Sequence, residues 1–256
     1  MTKKEGQVTL FIIVALVLIS SIGIYFLISK SEVLETSAEK SDSPVYSYLE
    51  SCLRNAAFEA ADDFGMHQGY YEVPDLALNT ALYRVAYYYF QGTIIIPGND
   101  FFEKEFSKII NDKILEQCSD FSFFEEEDYN IDADAEKINT ETRISENDLK
   151  IDVTYPISIR TNESSTRFSD FSYDLPLRIG HVIDMSRILA DKIKEEPSSV
   201  DLTFLLNQDA DISIVDYDEC NKIYIIVDNE SGINDEPYAF SFAVGLEEQY
   251  CAGENL

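Results

Sequence analysis

Histidine is nearly missing from this chain: His67 and His181 are the only two, and neither has a partner of matching chemistry nearby in the sequence. A Ser–His–Asp arrangement needs a nucleophile, a base and an orienting acid that converge. A helical zinc motif needs two His one turn apart, and a phosphate loop needs closely spaced Gly. The sequence marks none of these, and both His read as surface or capping residues. Basic residues are also scarce, with 19 Lys and Arg against 48 Asp and Glu and a formal net charge of −29. Nucleic-acid binding depends on Lys and Arg neutralising phosphates, so no nucleic-acid partner is expected. The same charge suits the surface poorly to anionic lipid. No Cys-x-x-Cys pair occurs, which argues against a zinc ribbon or a redox motif. No repeat or low-complexity tract is evident. These absences predict no catalytic activity, no cofactor and no metal site.

What the chain does have is a long uncharged run, residues 8–28. About 21 residues make a helix of roughly 31 Å, which matches the ~30 Å hydrocarbon core of a bilayer. The run is longer than the ~7–15 apolar residues of a cleaved secretory signal. Lys3 and Lys4 precede it against a single Glu5, while the far side begins with Lys30 and then carries Glu32, Glu35, Glu39 and Asp42. Positive charge favours the cytoplasmic side. The layout predicts a cytoplasmic tail at 1–7, a single transmembrane helix at 8–28, a polar stalk at 29–43, and a carboxy-terminal domain outside the cell membrane.

The opening Lys3-Lys4-Glu5-Gly6-Gln7-Val8-Thr9-Leu10-Phe11-Ile12 resembles the amino termini of archaeal type IV pilin-like proteins. In those, a dedicated peptidase cuts between the Gly and the next residue, and the apolar segment can then pack into a filament core. The resemblance implies processing between Gly6 and Gln7, although Glu5 stands where a basic residue often precedes the Gly. The chain is also similar to uncharacterised single-span archaeal surface proteins. These share a Cys-bearing helix ending near an aromatic turn (Cys52, then Gly69-Tyr70-Tyr71) and a Tyr-Pro-Ile strand (Tyr155-Pro156-Ile157). No activity travels with those motifs.

Residues beyond the stalk suffice for one large domain or two small ones, and an apolar content of 45% supports a packed core. The predicted class is α+β: the transmembrane helix, then a helical region at 44–128, then antiparallel β-meanders at 129–256 with one helix at 177–196. Ser43 and Pro44 suit the cap and first position of a helix, which Gly65 should end. Leu49, Cys52, Leu53, Ala56, Ala60 and Phe64 form its apolar stripe. Phe102, Phe106, Ile110, Ile114 and Cys118 recur at i+4 in a helix over 101–118. Residues 82–90 fit a strand or a short helix. Period-two alternation runs through Ile138, Thr140, Thr142 and Ile144, then from Leu149 to Ile159, with Pro156 marking an edge or a bulge. Phe171, Tyr173 and Leu175 supply a third strand. Ile179, Val182, Ile183, Ile188 and Leu189 are the expected buried side of the next helix. Strands are expected at 201–206, 212–217, 223–228 and 238–244, with turns at 218–221 and 229–235.

Outside the cytoplasm cysteines are expected to pair, and four allow three pairings. Cys52 and Cys118 face inward on two helices, while Cys220 and Cys251 sit at the ends of one strand unit. The expected bonds are Cys52–Cys118 and Cys220–Cys251. Two acidic clusters call for a metal test. Counting from Asn130, alternating oxygen ligands reach Glu141 at the twelfth position, a partial EF-hand spacing. Ala135 occupies the place of the required Gly, so calcium is not expected there. Asp209, Asp211, Asp216 and Asp218 read as the solvent side of strands. Asn162 and Asn229 open Asn-x-Ser sequons in predicted turns, candidates for glycosylation. The expectation is thus a membrane-anchored extracytoplasmic surface protein with a structural or interaction role. Its partners would be the lipid bilayer through residues 8–28, copies of itself, or other surface proteins. A processed pilin-like filament subunit is the alternative, and a ligand- or ion-binding ectodomain the third.

Overall fold

The computed structural model describes residues 43–126, 128–162 and 164–251. The chain divides into two compact units, Met1–Leu49 and Glu50–Leu256. The expected tail, the expected membrane span at 8–28 with Gly6 and Gln7, and the stalk up to residue 42 lie outside the described residues. Among the described residues no helix is long and apolar enough to cross a membrane. Helix α1 (Pro44–Met66) begins as the sequence predicts, and from residue 50 onward it belongs to the second unit. Tyr46 N–H donates to Ser43 Oγ at 3.4 Å, and Ser47 N–H to Ser43 O at 3.1 Å. The Ser hydroxyl thus meets one of the amides that a helix start leaves unpaired.

The second unit is α+β, with two sheets. After α1 come β1 (Ala77–Asn79), β2 (Arg84–Phe90), β3 (Thr93–Ile94), α2 (Asn99–Gln117), α3 (Ser122–Glu125), β4 (Asn130–Ala133), β5 (Asn139–Ile144), β6 (Leu149–Arg160), β7 (Ser165–Leu175), α4 (Ile179–Glu195), α5 (Leu202–Leu206), β8 (Asp211–Asp216), β9 (Asn221–Ile233) and β10 (Glu236–Gly245). One sheet has the order β1-β2-β10-β9-β8, with β3 also on β2. In the other, β6 carries β4 and β5 on one side and β7 on the other. β2 and β10 run parallel, and every other pair is antiparallel. The expectation of antiparallel meanders alone is therefore corrected to one mixed sheet and one antiparallel sheet. Region 44–128 also holds three strands beside its helices. Parallel neighbours need a long crossover, here most of the chain, and local period does not encode it.

β5, β6 and β7 form the predicted meander. Leu149, Ile151, Val153, Tyr155, Ile157 and Ile159 are all buried, at 4% exposure or less. Pro156 falls at a bulge: Thr154 pairs with Asp170 but Ile157 with Phe168, so Tyr155 and Pro156 face Ser169 together. A strand interior tolerates Pro at such an irregularity because the ladder there needs one donor fewer. On β7 the inward set consequently slips phase, from Phe168 to Phe171, Tyr173 and Leu175.

The aromatic side chains join helices to the mixed sheet. Phe64 of α1 packs on Phe102 and Phe106 of α2, with ring centres 5.9 and 4.9 Å apart, and on Phe240 of β10 at 6.5 Å. Tyr88 of β2 packs on Phe102 and Phe240 and stacks on Phe242, which stacks on Tyr224 of β9. Val85 to Tyr89 are buried in succession, as in a strand covered on both faces. On the second face a smaller cluster forms from Leu78, Val85, Tyr87, Ile223 and Ala243. Both expected disulfides are present, Cys52–Cys118 and Cys220–Cys251, with Cα atoms 5.8 and 4.5 Å apart. They close 66 and 31 positions of chain. Chain-entropy arguments give such loops roughly 4 kcal/mol each.

Several local expectations are corrected. α1 does not stop at Gly65 but runs to Met66, and the chain turns through Gln68 and Gly69, both at positive φ. Gly65 serves close packing instead, since a Cβ there would lie 2.4 Å from Ala239 O of β10. Residues 201–206 are not a strand. Asp201 accepts Phe204 N–H at 2.9 Å, while Asn207 and Gln208 fold back on Thr203 O and Phe204 O, so both ends of a short helix are closed by side chains. β9 runs through 229–233 where a turn was expected, and the turn shrinks to Asn234-Asp235, both at positive φ. On α4, Ile188 is 45% exposed, and the buried stripe instead includes Met185, Ala190 and Ile193.

Gly65→Ala should test the α1–β10 contact. In an exposed helix interior Ala is favoured over Gly by about 1 kcal/mol. Here the added methyl meets backbone, and overpacking of this kind costs about 1–3 kcal/mol. A lower denaturation midpoint is expected in urea; a higher one would show that the helix has room to shift.

Candidate functional site

The most developed polar constellation in the second unit is built around Arg178, just before α4. Between Tyr238 and Pro237 the β9–β10 register jumps from Asp228 to Gly232, leaving residues 229–231 out of the ladder. That irregularity turns Asp228 and Ser231 toward the Leu177-Arg178 link. Asp228 is fully buried. Its Oδ1 accepts Arg178 Nη1 and Glu230 N–H, each at 3.1 Å, and its Oδ2 accepts Ser231 Oγ at 2.6 Å. Ser231 Oγ in turn accepts Arg178 N–H at 3.0 Å. The guanidinium also reaches Glu230 Oε2 and Asp209 Oδ2, both at 2.6 Å.

The electrostatics follow from this geometry. Burial opposes the Arg178 charge, but the Asp209 hydrogen bond and the fields of Asp228, Asp209 and Glu230 outweigh it and raise its pKa. The Arg178 hydrogen bond likewise holds Asp209 below the usual carboxylate range. His181, read from the sequence as a surface or capping residue, is half-buried in the first turn of α4. Its Nε2 lies 2.8 Å from Asp209 Oδ1 without the alignment of a hydrogen bond. His67 is exposed. The constellation's one hydroxyl, Ser231 Oγ, is buried and donates to Asp228 Oδ2, and the carboxylate acceptors are already engaged. Its chemistry is that of a fastener between α4 and the mixed sheet.

The acidic residues of the second cluster are engaged singly. Asp209 holds Arg178, Asp211 accepts Asn229 Nδ2 at 2.8 Å, Asp216 holds Lys222, and Asp218 caps its own turn through Cys220 N–H and Asn221 N–H. The EF-hand-like stretch forms no loop. Residues 130–133 are strand β4, Asp134 pairs with Lys137, and Glu141 lies opposite Asp152 on β5. Among the described residues no group of three His, Cys, Asp or Glu is placed to hold a metal ion. Asn162 lies exposed in the β6–β7 turn. Asn229 is exposed but belongs to β9 rather than to a turn.

The second unit also carries several concavities. A groove of about 670 Å³ lies between α2 and β5. Glu103 Oε1 accepts Ile144 N–H there at 3.0 Å, and Thr142 Oγ1 donates to Glu103 O at 2.7 Å. Asn111 Oδ1 and Thr140 Oγ1 are buried beside it without a hydrogen-bond partner among the described residues, and a bridging water would satisfy such a pair. The second cleft, about 110 Å³, is lined by Lys192, Asp201, Phe204 and Tyr224. Lys192 Nζ sits 4.3 Å from the Phe204 ring centre and 3.6 Å from Asp201 Oδ2, so its charge is already committed to holding α5. Burial, and then the field of Asp216, push the Tyr224 phenol up to about 12.

Sequence reasoning missed the Arg178 network because its partners lie 31 to 53 positions away. Its signal was one of the few basic residues of an acidic chain, placed at a strand-to-helix link. Removing Arg178 should leave Asp228 charged, buried and unpaired, and breaking such pairs costs about 3–5 kcal/mol. Arg178→Met is expected to lower stability by about that much in a urea titration. Asp209→Asn, which touches a half-exposed partner, should cost under about 1 kcal/mol. Equal losses would show that Asp228 does not need the guanidinium.

No protein family, no curated protein and no solved structure matches this chain.

Proposed function

We propose that this chain is a single-span, membrane-anchored surface protein whose acidic α+β domain lies outside the cytoplasm, in a structural or interaction role. The observation that carries the reading is the state of the cysteines: all four are joined in two bonds, and none is free. Disulfides form and persist in oxidising compartments and are rare in the cytosol. The uncharged run at residues 8–28, with Lys3 and Lys4 before it and acids after it, supplies an anchor of the right length and orientation. The lipid bilayer is the partner of that run. The net charge of −29 suits a solvated surface and offers nothing to nucleic acid. The polar constellations described above serve packing, which fits display or assembly better than catalysis. Protease added to intact cells should digest the domain and remove an epitope placed after residue 251. Protection until lysis would overturn the orientation.

A second reading, a pilin-like filament subunit, is favoured by Gly6-Gln7 standing directly before the apolar run. In that case the mature chain begins at Gln7, and Gly6→Val blocks the cut. Amino-terminal sequencing of surface protein decides this. A start at Met1 or Thr2 removes the filament reading and leaves the anchored one.

A further inference from the structure

We propose that Asn162 is a glycan acceptor site of the folded domain, and that Asn229, which opens the same motif, is closed to modification once the domain has folded. In the cell the modification rests on the reading that the domain lies outside the cytoplasm. The contrast between the two asparagines does not.

Asn162 and Ser164, and likewise Asn229 and Ser231, are the first and third residues of Asn-x-Ser sequences. The motif asks of the middle residue only that it not be Pro, and it is Glu in both. A motif defined by an amide and a hydroxyl is read through those groups, so both must be reachable. The β6–β7 ladder ends at Arg160 and Ser165, which puts the first sequence at the tip of a hairpin. Thr161 N–H donates to Ser164 O at 2.9 Å, and Ser164 N–H to Thr161 Oγ1 at 3.1 Å. The turn is thus closed through its outer residues. Asn162 and Ser164 are both exposed. The Ser164 hydroxyl meets Thr161 Oγ1 at 3.0 Å in an exposed contact.

Asn229 is the opposite case. Its Nδ2 donates to Asp211 Oδ2 at 2.8 Å. Ser231 is buried, and its Oγ donates to Asp228 Oδ2 at 2.6 Å while accepting Arg178 N–H at 3.0 Å. Reaching that hydroxyl means opening the Arg178–Asp228 joint around a buried carboxylate, which is costly.

The chemistry is a group transfer from a lipid-pyrophosphate-linked oligosaccharide. Asn162 Nδ2 bonds to C1 of the first sugar as the C1–O bond to the pyrophosphate breaks. The pyrophosphate leaves with the bonding electron pair, and the amide gives one proton to a base of the transferase. Nothing is oxidised or reduced. An exposed turn can carry the bulky polar product.

The test offers a purified oligosaccharyltransferase, with its lipid-pyrophosphate oligosaccharide, the full folded chain in detergent and two peptides, residues 158–168 and 226–236. Peptide mapping by mass spectrometry reads the sites. Both peptides should be modified. In the folded chain Asn162 should be modified, and Asn229 at least about a hundredfold more slowly than in its peptide, because access needs local opening. Ser164→Ala should abolish transfer to Asn162 and Ser164→Thr should keep it, with no change in a thermal melt. Transfer to Asn229 of the folded chain at the peptide's rate would overturn the proposal, as would an inert Asn162 in the folded chain. An inert 226–236 peptide would remove folding as the cause at Asn229. Chain isolated from its own cells should carry sugar at Asn162 and none at Asn229. An unmodified chain that external protease digests counts against the proposal, whereas an unmodified chain protected from that protease counts against the location instead.

Discussion

Tyr88 is the contact on which the second unit depends. It is fully buried, its ring meets Phe102 of α2 and Phe240 and Phe242 of β10, and its hydroxyl donates to Gln68 O at 2.7 Å. Gln68 lies in the turn after α1, also fully buried, and its Oε1 accepts Ala86 N–H at 2.9 Å. One phenol and one amide therefore tie the end of α1, the start of β2 and the face of β10 into a single packed layer. Buried polar groups are costly when unpaired and specifying when paired. The paired set explains why β2, early in the chain, finds its place beside a strand near the end. Burial, the first of the causes, raises the Tyr88 pKa well above that of a free phenol, so the donor is retained under ordinary conditions.

The remaining joints repeat this logic at other points. Arg178 fixes α4 to the irregular end of β9 through a fully buried carboxylate. Cys52–Cys118 fastens α1 to α2, and Cys220–Cys251 holds the chain beyond β10 to the β8–β9 turn. Lys113 adds a 2.7 Å bridge between α2 and Asp63 of α1. Each joint is internal and satisfied. Among the described residues the outer strands differ in length: β1 has three residues and β7 has eleven.

Much of this was legible in the chain because the decisive signals are local. The i+4 row ending at Cys118 and the row through Cys52 set both cysteines inward. The turn at 218–221 set Cys220 near the end of the last strand. The unbroken alternation from Leu149 to Ile159 identified β6, and Pro156 marked its bulge. The failures share a cause. Residues 201–206 lack a period and were decided by the Asp201 cap and by side chains folding back. Ile188 belongs to the apolar composition of α4 but lies off the stripe of Val182, Ser186, Leu189 and Ile193. Gly65 looked like a terminator and is a packing residue.

By itself the sequence determined the helical stripes, the meander, the inward placement of Cys52 and Cys118 and the uncharged run at residues 8–28, because each follows from residue period, spacing or charge over a few turns of chain. Tertiary structure alone decided that β2 runs parallel to β10 and that Arg178 gathers Asp209, Asp228 and Glu230. Those features join residues tens to more than a hundred positions apart. Only the shared burial of the two sheets and the helices brings such residues within bonding distance.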